Sequence, residues 1–283
     1  MSVYQIFIPG GNKTALVMGL EDNLAVRKQI QDVIMEKHKD DPDGEVEQVG
    51  FLSTNLEKPT LLMAGGEFCG NASRAAAAYY LKEKQVENLH LSSSGASKLL
   101  QAKCLENGEI SLGLPLPGNV EEAIEELGDT GVFWVQLEGI SHMVVSVSQS
   151  LLLLQEMEKV ADKEEKKNIA MAYLEKQIKT YHLKTGEAYG LMLLEEVGDI
   201  LKMHPFVYVK TSETCYYETA CGSGSICVAM VECFMHHWGN TFLPLLQPSG
   251  QVITTSIEKR EDGSFWGKMI SPVTFGEQGE VTL

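Results

Sequence analysis

The stretch GGEFCGNASRAAAAYYL, residues Gly65–Leu81, carries the pattern on which the fold depends. Its cysteine is followed by glycine, asparagine and serine, and then by a run of alanines, which favour helix. Asparagine and serine are preferred where a helix begins. We therefore expect Cys69 to lie at, or just before, the first turn of a helix. The stretch ETACGSGSICVAMVECF at Glu218–Phe234 repeats this arrangement around Cys221.

The sequence before and after the two cysteine motifs also repeats in the same order. A Gly-rich turn into a strand, an amphipathic helix and two strands precede each motif, and two strands follow it. The paired segments are 10–19 with 139–148, 24–37 with 163–179, 49–54 with 189–196, and 61–65 with 205–210. This repeat predicts an α+β fold with two pseudo-symmetric domains, each a β-sheet wrapped around a central helix.

The domain boundary is expected where proline, glycine and acidic residues interrupt the repeat, at 117–131. We expect one domain at residues 1–120 and the other at residues 131–283. Each contains one of the two cysteine motifs. An option that stays open is that the final strand of the second domain packs on the first domain.

The composition excludes several classes of function. The chain has 283 residues and a net charge of −16, which argues against nucleic acid as a partner because phosphate binding needs a basic surface. No apolar run reaches the roughly 18 residues that span a membrane, and the first residues lack the features of a signal peptide. We expect a soluble cytoplasmic protein that acts on a small molecule, without a nucleic-acid or membrane partner.

The cysteine spacing predicts neither a zinc site nor a disulfide framework. Familiar zinc motifs such as CxxC are absent from the sequence, and disulfides are rare in cytosolic proteins. Two of the six cysteines, Cys227 and Cys233, are expected to be buried in the helix after Cys221, since free cysteine often serves as a small core residue. We therefore expect no bound metal.

Two cysteines at helix starts suggest a specific chemistry. The unpaired N–H groups of a helix N-terminus bind carboxylates and lower the pKa of a nearby thiol. Two such ends that face each other would hold an amino-acid carboxylate and place one thiol on each side of the α-carbon. One thiolate would remove the α-proton, and the other thiol would deliver a proton to the opposite face. A lone cysteine before glycine is more often structural, but the duplicated context favours catalysis by Cys69 and Cys221.

At these residues the chain resembles the diaminopimelate epimerase superfamily of cofactor-independent racemases. The resemblance rests on Gly11–Asn12, on EFCGNAS at 67–73 and on ETACGSGS at 218–225. It implies two sheet-and-helix domains with the site in the cleft between them, no pyridoxal phosphate or other cofactor, and a homodimer.

The chain departs from diaminopimelate epimerases where those enzymes hold the distal end of their substrate. They usually carry Glu-Arg eight to nine residues before the second cysteine, and this chain has Ser212 and Glu213. It also has Thr60 in place of an asparagine, and His142 ends a Gly-Ile-Ser-His segment in place of Gly-Asn-Pro-His. Because arginine grips a carboxylate with two hydrogen bonds, its loss argues against diaminopimelate as the substrate. We interpret His142 as a structural histidine.

The chain is more similar to the histidine racemases of staphylopine-type metallophore biosynthesis, which also lack Glu-Arg. That resemblance implies conversion of L-histidine to D-histidine. Asn12, Gln48 and Asn71 would help to hold the amino-acid head, and Glu47 would either pair with the imidazole or be a solvated carboxylate at a strand edge. The remaining residues expected to bind substrate, through the helix N-termini, are Gly70, Gly222 and Ser223.

Three alternatives stay open. The substrate could be diaminopimelate or another amino acid of the same superfamily. The chain could be an isomerase or dehydratase on the related scaffold of proline racemases and phenazine-type enzymes, although some of those lack one or both cysteines. It could also be a catalytically silent protein that captures an amino acid between its domains.

Overall fold

The computed structural model describes residues 1–118, 120–128, 130–211, 213–236 and 241–283 of a mixed α/β, sheet-rich protein. The helices in these residues are α1 (Leu24–Lys37), α2 (Gly70–Lys84), α3 (Val147–Glu158), α4 (Lys163–Tyr181) and α5 (Gly222–Met235), with a 3₁₀ turn at Glu121–Ala123. The strands are β1 (Ser2–Pro9), β2 (Thr14–Met18), β3 (Gln48–Leu52), β4 (Thr60–Met63), β5 (Asn88–Ser93), β6 (Leu100–Cys104), β7 (Ile110–Pro115), β8 (Ile124–Glu126), β9 (Val132–Leu137), β10 (Ile140–Val145), β11 (Ala188–Val197), β12 (Ile200–Val209), β13 (Thr214–Tyr217), β14 (Thr241–Leu246), β15 (Val252–Lys259), β16 (Phe265–Ser271) and β17 (Val273–Val281).

The strands pair in two long series, which the parallel pairing of β4 with β5 joins. In the first, β17 pairs with β1, β1 with β2, β2 with β3 and β3 with β4, so the last strand of the chain lies beside the first. In the second, β5, β6, β7, β16, β15, β14, β12, β11, β10, β9 and β8 follow one another. The β7–β16 pairing joins a strand that precedes residue 120 to one that follows residue 131.

Helices α2 and α5 are each enclosed by strands. Helix α2 contacts β1, β2 and β4 to β7, whereas α5 contacts β9, β10 and β14 to β16. The alanines at 75–78 are all buried, and their small side chains let the strands approach α2 from several sides. Helix α5 is buried at every residue from 222 to 231, as expected of a helix that is apolar all round.

The sequence pattern located most of the repeated elements. The helix predicted at 24–37 is α1 with those bounds, and the helix predicted at 163–179 is α4. The predicted strand at 139–148 is wrong at its end, because β10 stops at Val145 and α3 begins at Val147. Helix α3 was not predicted: its Leu151 and Leu152 are exposed, so it lacks a clear apolar face.

The segment expected to separate two domains, 117–131, includes Asn119 and Asp129, which lie outside the described residues. Within it, β8 pairs with β9 rather than forming an extended linker. None of the described helices is long and apolar enough to cross a membrane.

Candidate active site

Cys69 and Cys221 occupy the same position in their two helices. Each is the N-cap residue, with φ and ψ of −130° and 115° for Cys69 and −133° and 109° for Cys221. The backbone N–H of the residue three positions later donates to the sulfur in each helix: Ala72 to Cys69 and Gly224 to Cys221, both at 3.4 Å. The prediction that each cysteine begins a helix is therefore confirmed.

The N-termini of α2 and α5 lie against each other. Asn71 Nδ2 donates to the carbonyl oxygen of Ala220, the residue before Cys221, at 2.6 Å. A Cβ placed on Gly70 would lie 3.1 Å from the backbone nitrogen of Ser223, and one on Gly222 would lie 2.8 Å from Met269 Sδ. The glycines after the two cysteines therefore permit the close approach of the two helix ends.

One cavity contains both cysteines. Its free volume is about 50 Å³, which is far below the roughly 300–1,000 Å³ of typical ligand pockets. Of the residues expected to form the site, Cys69, Cys221, Glu47, Gln48, Gly70, Asn71, Gly222 and Ser223 line it. Asn12 does not: it is fully buried behind Glu47. A ligand of amino-acid size would require the lining residues to move apart.

Gln48 connects the first cysteine to an acidic residue that the sequence analysis did not single out. The Cys69 thiol donates to Gln48 Oε1 at 2.8 Å, and Gln48 Nε2 donates to Glu218 Oε1 at 2.9 Å. Glu218 is buried, and its Oε2 has no hydrogen-bond partner among the described residues. Burial raises the pKa of Glu218 to about 7. Glu218 begins the ETACGSGS motif quoted above, and its closeness to Cys221 in the sequence is the feature that could have identified it.

The structure contradicts one of the two interpretations of Glu47 made from the sequence, that of a solvated carboxylate. Glu47 is buried rather than solvated, and both carboxylate oxygens accept hydrogen bonds. Asn12 Nδ2 donates to Oε2 at 2.6 Å, Thr219 Oγ1 donates to Oε1 at 2.5 Å, and the Thr219 N–H lies 3.1 Å from each oxygen. Burial and then repulsion by Glu218 raise its pKa to about 8. Glu47 thus joins β3 to the segment before the second cysteine.

The second cysteine has a different environment from the first. Ser223 Oγ lies 3.6 Å from Cys221 Sγ and 2.9 Å from His142 Nε2. His142 is fully buried, its Nδ1 has no partner in the described part of the chain, and burial lowers its pKa to about 3. The imidazole is therefore neutral, and it positions Ser223 beside the sulfur.

Burial changes the expected state of both thiols. The sequence argument predicts a lowered thiol pKa at a helix N-terminus, but removal from water raises the pKa of Cys69 and of Cys221. The N–H donors from Ala72 and Gly224 oppose this shift without cancelling it. In this closed arrangement both thiols are protonated at neutral pH.

Arg74 is the second functional residue that the sequence analysis missed. It is fully buried, its guanidinium donates to Asn71 Oδ1 at 2.7 Å and to Ser271 Oγ, and it forms no ion pair with a described carboxylate. Burial lowers its pKa to about 10, while negative charge on either cysteine would raise it. The same attraction favours a thiolate at either position, although burial still raises both thiol pKa values.

Potential metal ligands gather elsewhere. Within the described residues, one group of this kind is found, formed by His38, Asp41 and Glu277, and the Lys13 ammonium already lies 2.9 Å from Asp41. Ser212, at the position of the missing glutamate, lies outside the described residues. Cys227 and Cys233 are fully buried in α5, as predicted.

Known histidine racemases are similar to this chain over most of its length. Residues 4–265 match the family model described as histidine racemase CntK N-terminal domain. A histidine racemase of Fusobacterium nucleatum (strain ATCC 23726) is 28% identical over 226 residues, which cover 77% of this chain and 76% of that protein. A histidine racemase of Staphylococcus aureus (strain Mu50) is 24% identical over 259 residues, covering 88% and 86%.

A solved structure has the same fold. The hydroxyproline epimerase of Agrobacterium vitis, solved with bound trans-4-hydroxy-L-proline, aligns with a TM-score of 0.61 at 10% identity, over 98% of this chain and 91% of that one. Because the family model covers most of the sequence, the chain belongs to the histidine racemase family that this CntK N-terminal domain defines.

Proposed function

We propose that this isomerase interconverts L- and D-histidine without a cofactor, with Cys69 and Cys221 as the two acid–base groups. The observation that carries the proposal is the pairing of two N-capping thiols at abutting helix ends in a single cavity. Family membership supports the racemase activity and histidine as the substrate.

The helix ends supply the carboxylate site. The first backbone N–H groups of a helix have no partner within it, and they carry partial positive charge. Residues Gly70, Asn71, Gly222 and Ser223 place two such ends in the cavity wall. The substrate carboxylate would bind there, and the same donors would stabilise the charge that spreads onto it when the α-proton leaves.

The two thiols lie on different helices that the carboxylate would bridge. One would act as thiolate and take the α-proton, and the other would donate its proton to the opposite face. After each turnover the thiol and thiolate have exchanged positions, so the reverse reaction uses the same pair. This symmetry is what racemisation needs.

The carboxyl groups around the cavity favour a substrate with cationic groups, because a bound cation would lower their raised pKa values. Glu47, Glu67 and Glu218 line it, and no lysine or arginine does so within the described ranges. Glu218 lies beside Cys221 and is linked through Gln48 to Cys69, so its free oxygen is placed to accept a hydrogen bond from the α-ammonium. A bound ammonium would also offset the burial that raises the thiol pKa values.

Exchange in deuterium oxide tests the proposal. Purified protein with L-histidine and no added cofactor should produce D-histidine with deuterium at the α-carbon, detected by proton NMR and chiral chromatography. Cys69→Ser and Cys221→Ser should each lose turnover while remaining folded. Absence of α-exchange with every common amino acid would exclude a racemase, and ligand affinity without exchange would identify an amino-acid-binding protein instead.

The resemblance to racemases of metallophore biosynthesis supports three further parts of the proposal. The protein would be cytoplasmic, it would form a homodimer, and its D-histidine would feed metallophore synthesis. Light scattering coupled to size-exclusion chromatography tests the dimer: a mass near 62 kDa, twice the 31.2 kDa of the chain, is expected, and a mass near that of one chain would contradict it.

A further inference from the structure

The cavity wall divides into two parts. The helix ends and the two cysteines form one part, which would hold the reacting head of an amino acid. The other part is formed by strand residues, Met63, Val207, Val209 and Tyr216 from the ends of β4, β12 and β13, together with Glu67. A side chain attached to the bound α-carbon must enter this second, mostly apolar part.

Glu67 places a free carboxylate oxygen in that apolar part. Its Oε2 is buried and has no partner within hydrogen-bond geometry among the residues that the structure describes. Burial raises the pKa of this carboxyl, and the backbone N–H groups of Glu67 and Gly65 oppose that shift only in part. The side chain folds back over Gly65: a Cβ on that glycine would lie 2.5 Å from Glu67 Oε2 and 3.6 Å from Val209 Cγ1. The Glu67 backbone is held in place, since its carbonyl oxygen accepts a hydrogen bond from Ser94 Oγ at 2.8 Å.

The nearest cation does not neutralise this carboxylate. Arg27 attracts Glu67 electrostatically, but its guanidinium donates to the carbonyl oxygens of Ala64, Glu21 and Asp22. A buried carboxylate oxygen without a hydrogen-bond donor costs free energy. A ligand that brings an N–H group to this oxygen would remove that cost, and its binding would be favoured accordingly.

The three carboxyl groups that line the cavity differ in how many of their oxygens have hydrogen-bond partners. Glu47 accepts hydrogen bonds on both oxygens from Asn12 and Thr219, whereas Glu218 and Glu67 each keep one buried oxygen without a partner. Histidine brings two groups of donors, the α-ammonium and a ring N–H. Glu218 is linked to Cys69 through Gln48 and interacts with Cys221. It therefore lies at the reacting end, which leaves Glu67 for the ring.

We propose that Glu67 is the residue that selects histidine, because its free Oε2 accepts a hydrogen bond from the imidazole N–H of the substrate. This assignment deepens the proposed histidine racemase function and rests on it. Glu47, the residue that the sequence suggested for the imidazole, instead holds two segments of the chain together.

The test compares two amino acids whose rings have similar size. L-Histidine has a ring N–H, whereas 2-thienyl-L-alanine has a five-membered aromatic ring without one. Initial rates of α-deuterium exchange give kcat and KM for both in the wild-type protein and in Glu67→Leu, Glu67→Gln, Glu218→Gln and the exposed control Glu45→Gln. Circular dichroism and thermal melts verify that each variant is folded.

The wild-type protein should prefer histidine by at least 100-fold in kcat/KM, since sites that hydrogen-bond a substrate N–H reject analogues lacking it by factors of up to roughly 10⁴–10⁵. Glu67→Leu should lower this preference by about 100-fold, mainly through a higher KM for histidine. Glu67→Gln keeps an acceptor and should fall between the two. Glu218→Gln should slow exchange of both amino acids to a similar degree, and Glu45→Gln should match the wild type.

Equal losses on the two amino acids in both Glu67 variants would overturn the proposal, because a merely structural glutamate affects every substrate alike. If Glu67→Leu does not fold, the preference measured with Glu67→Gln decides. A wild-type protein that exchanges neither histidine nor any other amino acid would instead refute the proposed racemase function. A protein that exchanges histidine but keeps its preference without Glu67 would refute only this assignment.

Discussion

Asn71 of α2 donates a hydrogen bond to the carbonyl oxygen of Ala220, the residue that precedes the second cysteine, and its own Oδ1 accepts one from Arg74. A single amide group thereby couples the start of one helix to the start of the other. It also places a buried cation behind both cysteines. The spacing of the two thiols depends on this contact.

Replacement of Asn71 should therefore destabilise the protein. Asn71→Ala leaves the Ala220 carbonyl and one guanidinium donor unsatisfied in a buried site, which costs about 1–3 kcal/mol for each lost partner. Urea denaturation should show a lower midpoint with an unchanged slope. Asn88→Ala, at an exposed position of β5, is the control and should change the free energy of unfolding by less than about 0.5 kcal/mol. Equal stability of the two variants would contradict the role of Asn71.

Burial of Glu47 should make stability fall as the pH rises. Its pKa is about 8 in the folded protein and 4.5 as the reference value, so the folded state binds the proton more tightly. That contribution is fully present below pH 4.5 and is lost as the pH rises through 8. The shift corresponds to about 5 kcal/mol.

Urea denaturation from pH 5 to pH 8 measures this decline in the free energy of unfolding. In Glu47→Gln the free energy of unfolding should decline less steeply with pH, whatever its value at pH 5. The decline that remains should come in part from Glu218, because its pKa is raised to about 7. Glu106→Gln, at an exposed position between β6 and β7, should decline like the wild type. A Glu47→Gln profile parallel to the wild type would contradict the raised pKa.

The active-site thiols should be alkylated slowly at neutral pH. Only the thiolate reacts with iodoacetamide, and burial raises the pKa of Cys69 and Cys221 above the value of about 8.5 for a free cysteine. At pH 7 both should react at least tenfold more slowly than the partly exposed Cys104, and their rates should rise as the pH approaches 10. Peptide mass spectrometry separates the sites. Rapid modification of Cys69 or Cys221 at pH 7 would show that the thiols are more accessible or more acidic than the closed cavity implies.

Loss of the buried cation should slow catalysis and shift its pH dependence. Arg74 favours negative charge on both cysteines, so Arg74→Met should lower kcat for α-exchange tenfold or more, since one pKa unit corresponds to about 1.4 kcal/mol. The pH at which the rate rises should move to higher values. Arg74→Lys keeps the charge and should recover part of the shift. Arg260→Met is the control. It removes a guanidinium that stacks on Trp266, and it should keep the wild-type pH profile.

An Arg74→Met profile with a lower rate but no pH shift would mean that Arg74 acts only through packing. Thermal melts of both Arg74 variants separate a loss of folded protein from a loss of turnover. The shift in pH, rather than the rate alone, is therefore the decisive measurement.

Gly139 should not tolerate a side chain. It has a φ of +76°, and a Cβ would lie 2.7 Å from the carbonyl oxygen of Gly95 and 3.2 Å from Phe68 Cβ. Gly263 has a similar φ of +81° but nothing within 4 Å of the same position. Both alanine variants carry the backbone strain, on the order of 1–3 kcal/mol, and only Gly139→Ala adds a clash with backbone. Chemical denaturation should therefore show the larger loss for Gly139→Ala, and equal losses would exclude the clash.

Sequence alone determined the positions of several helices in this protein. Helix propensity, N-capping and the period of apolar residues act over a few neighbouring positions, so the start of α2 at Cys69, the start of α5 at Cys221 and the bounds of α1 followed from short patterns. Reliance on local patterns also explains why α3 was missed. Leu151 and Leu152 face solvent, so the apolar residues of α3 do not show the spacing of a helix with one buried face.

The tertiary structure decided which polar atoms are satisfied and which are free. Glu47 and Thr219 are 172 positions apart, and Asn71 and Ala220 are 149 apart, so no local pattern could show that Glu47 is saturated or that the helix ends meet. Burial is likewise a property of the whole fold, and it reverses the thiol pKa shift that a helix N-terminus alone would produce. The sequence therefore indicated the two cysteines at helix starts that we propose as the reacting groups. Only the packing of distant segments showed that Glu67 and Glu218, which line the cavity, each keep a buried oxygen without a partner, and that Arg74 is buried beside Asn71.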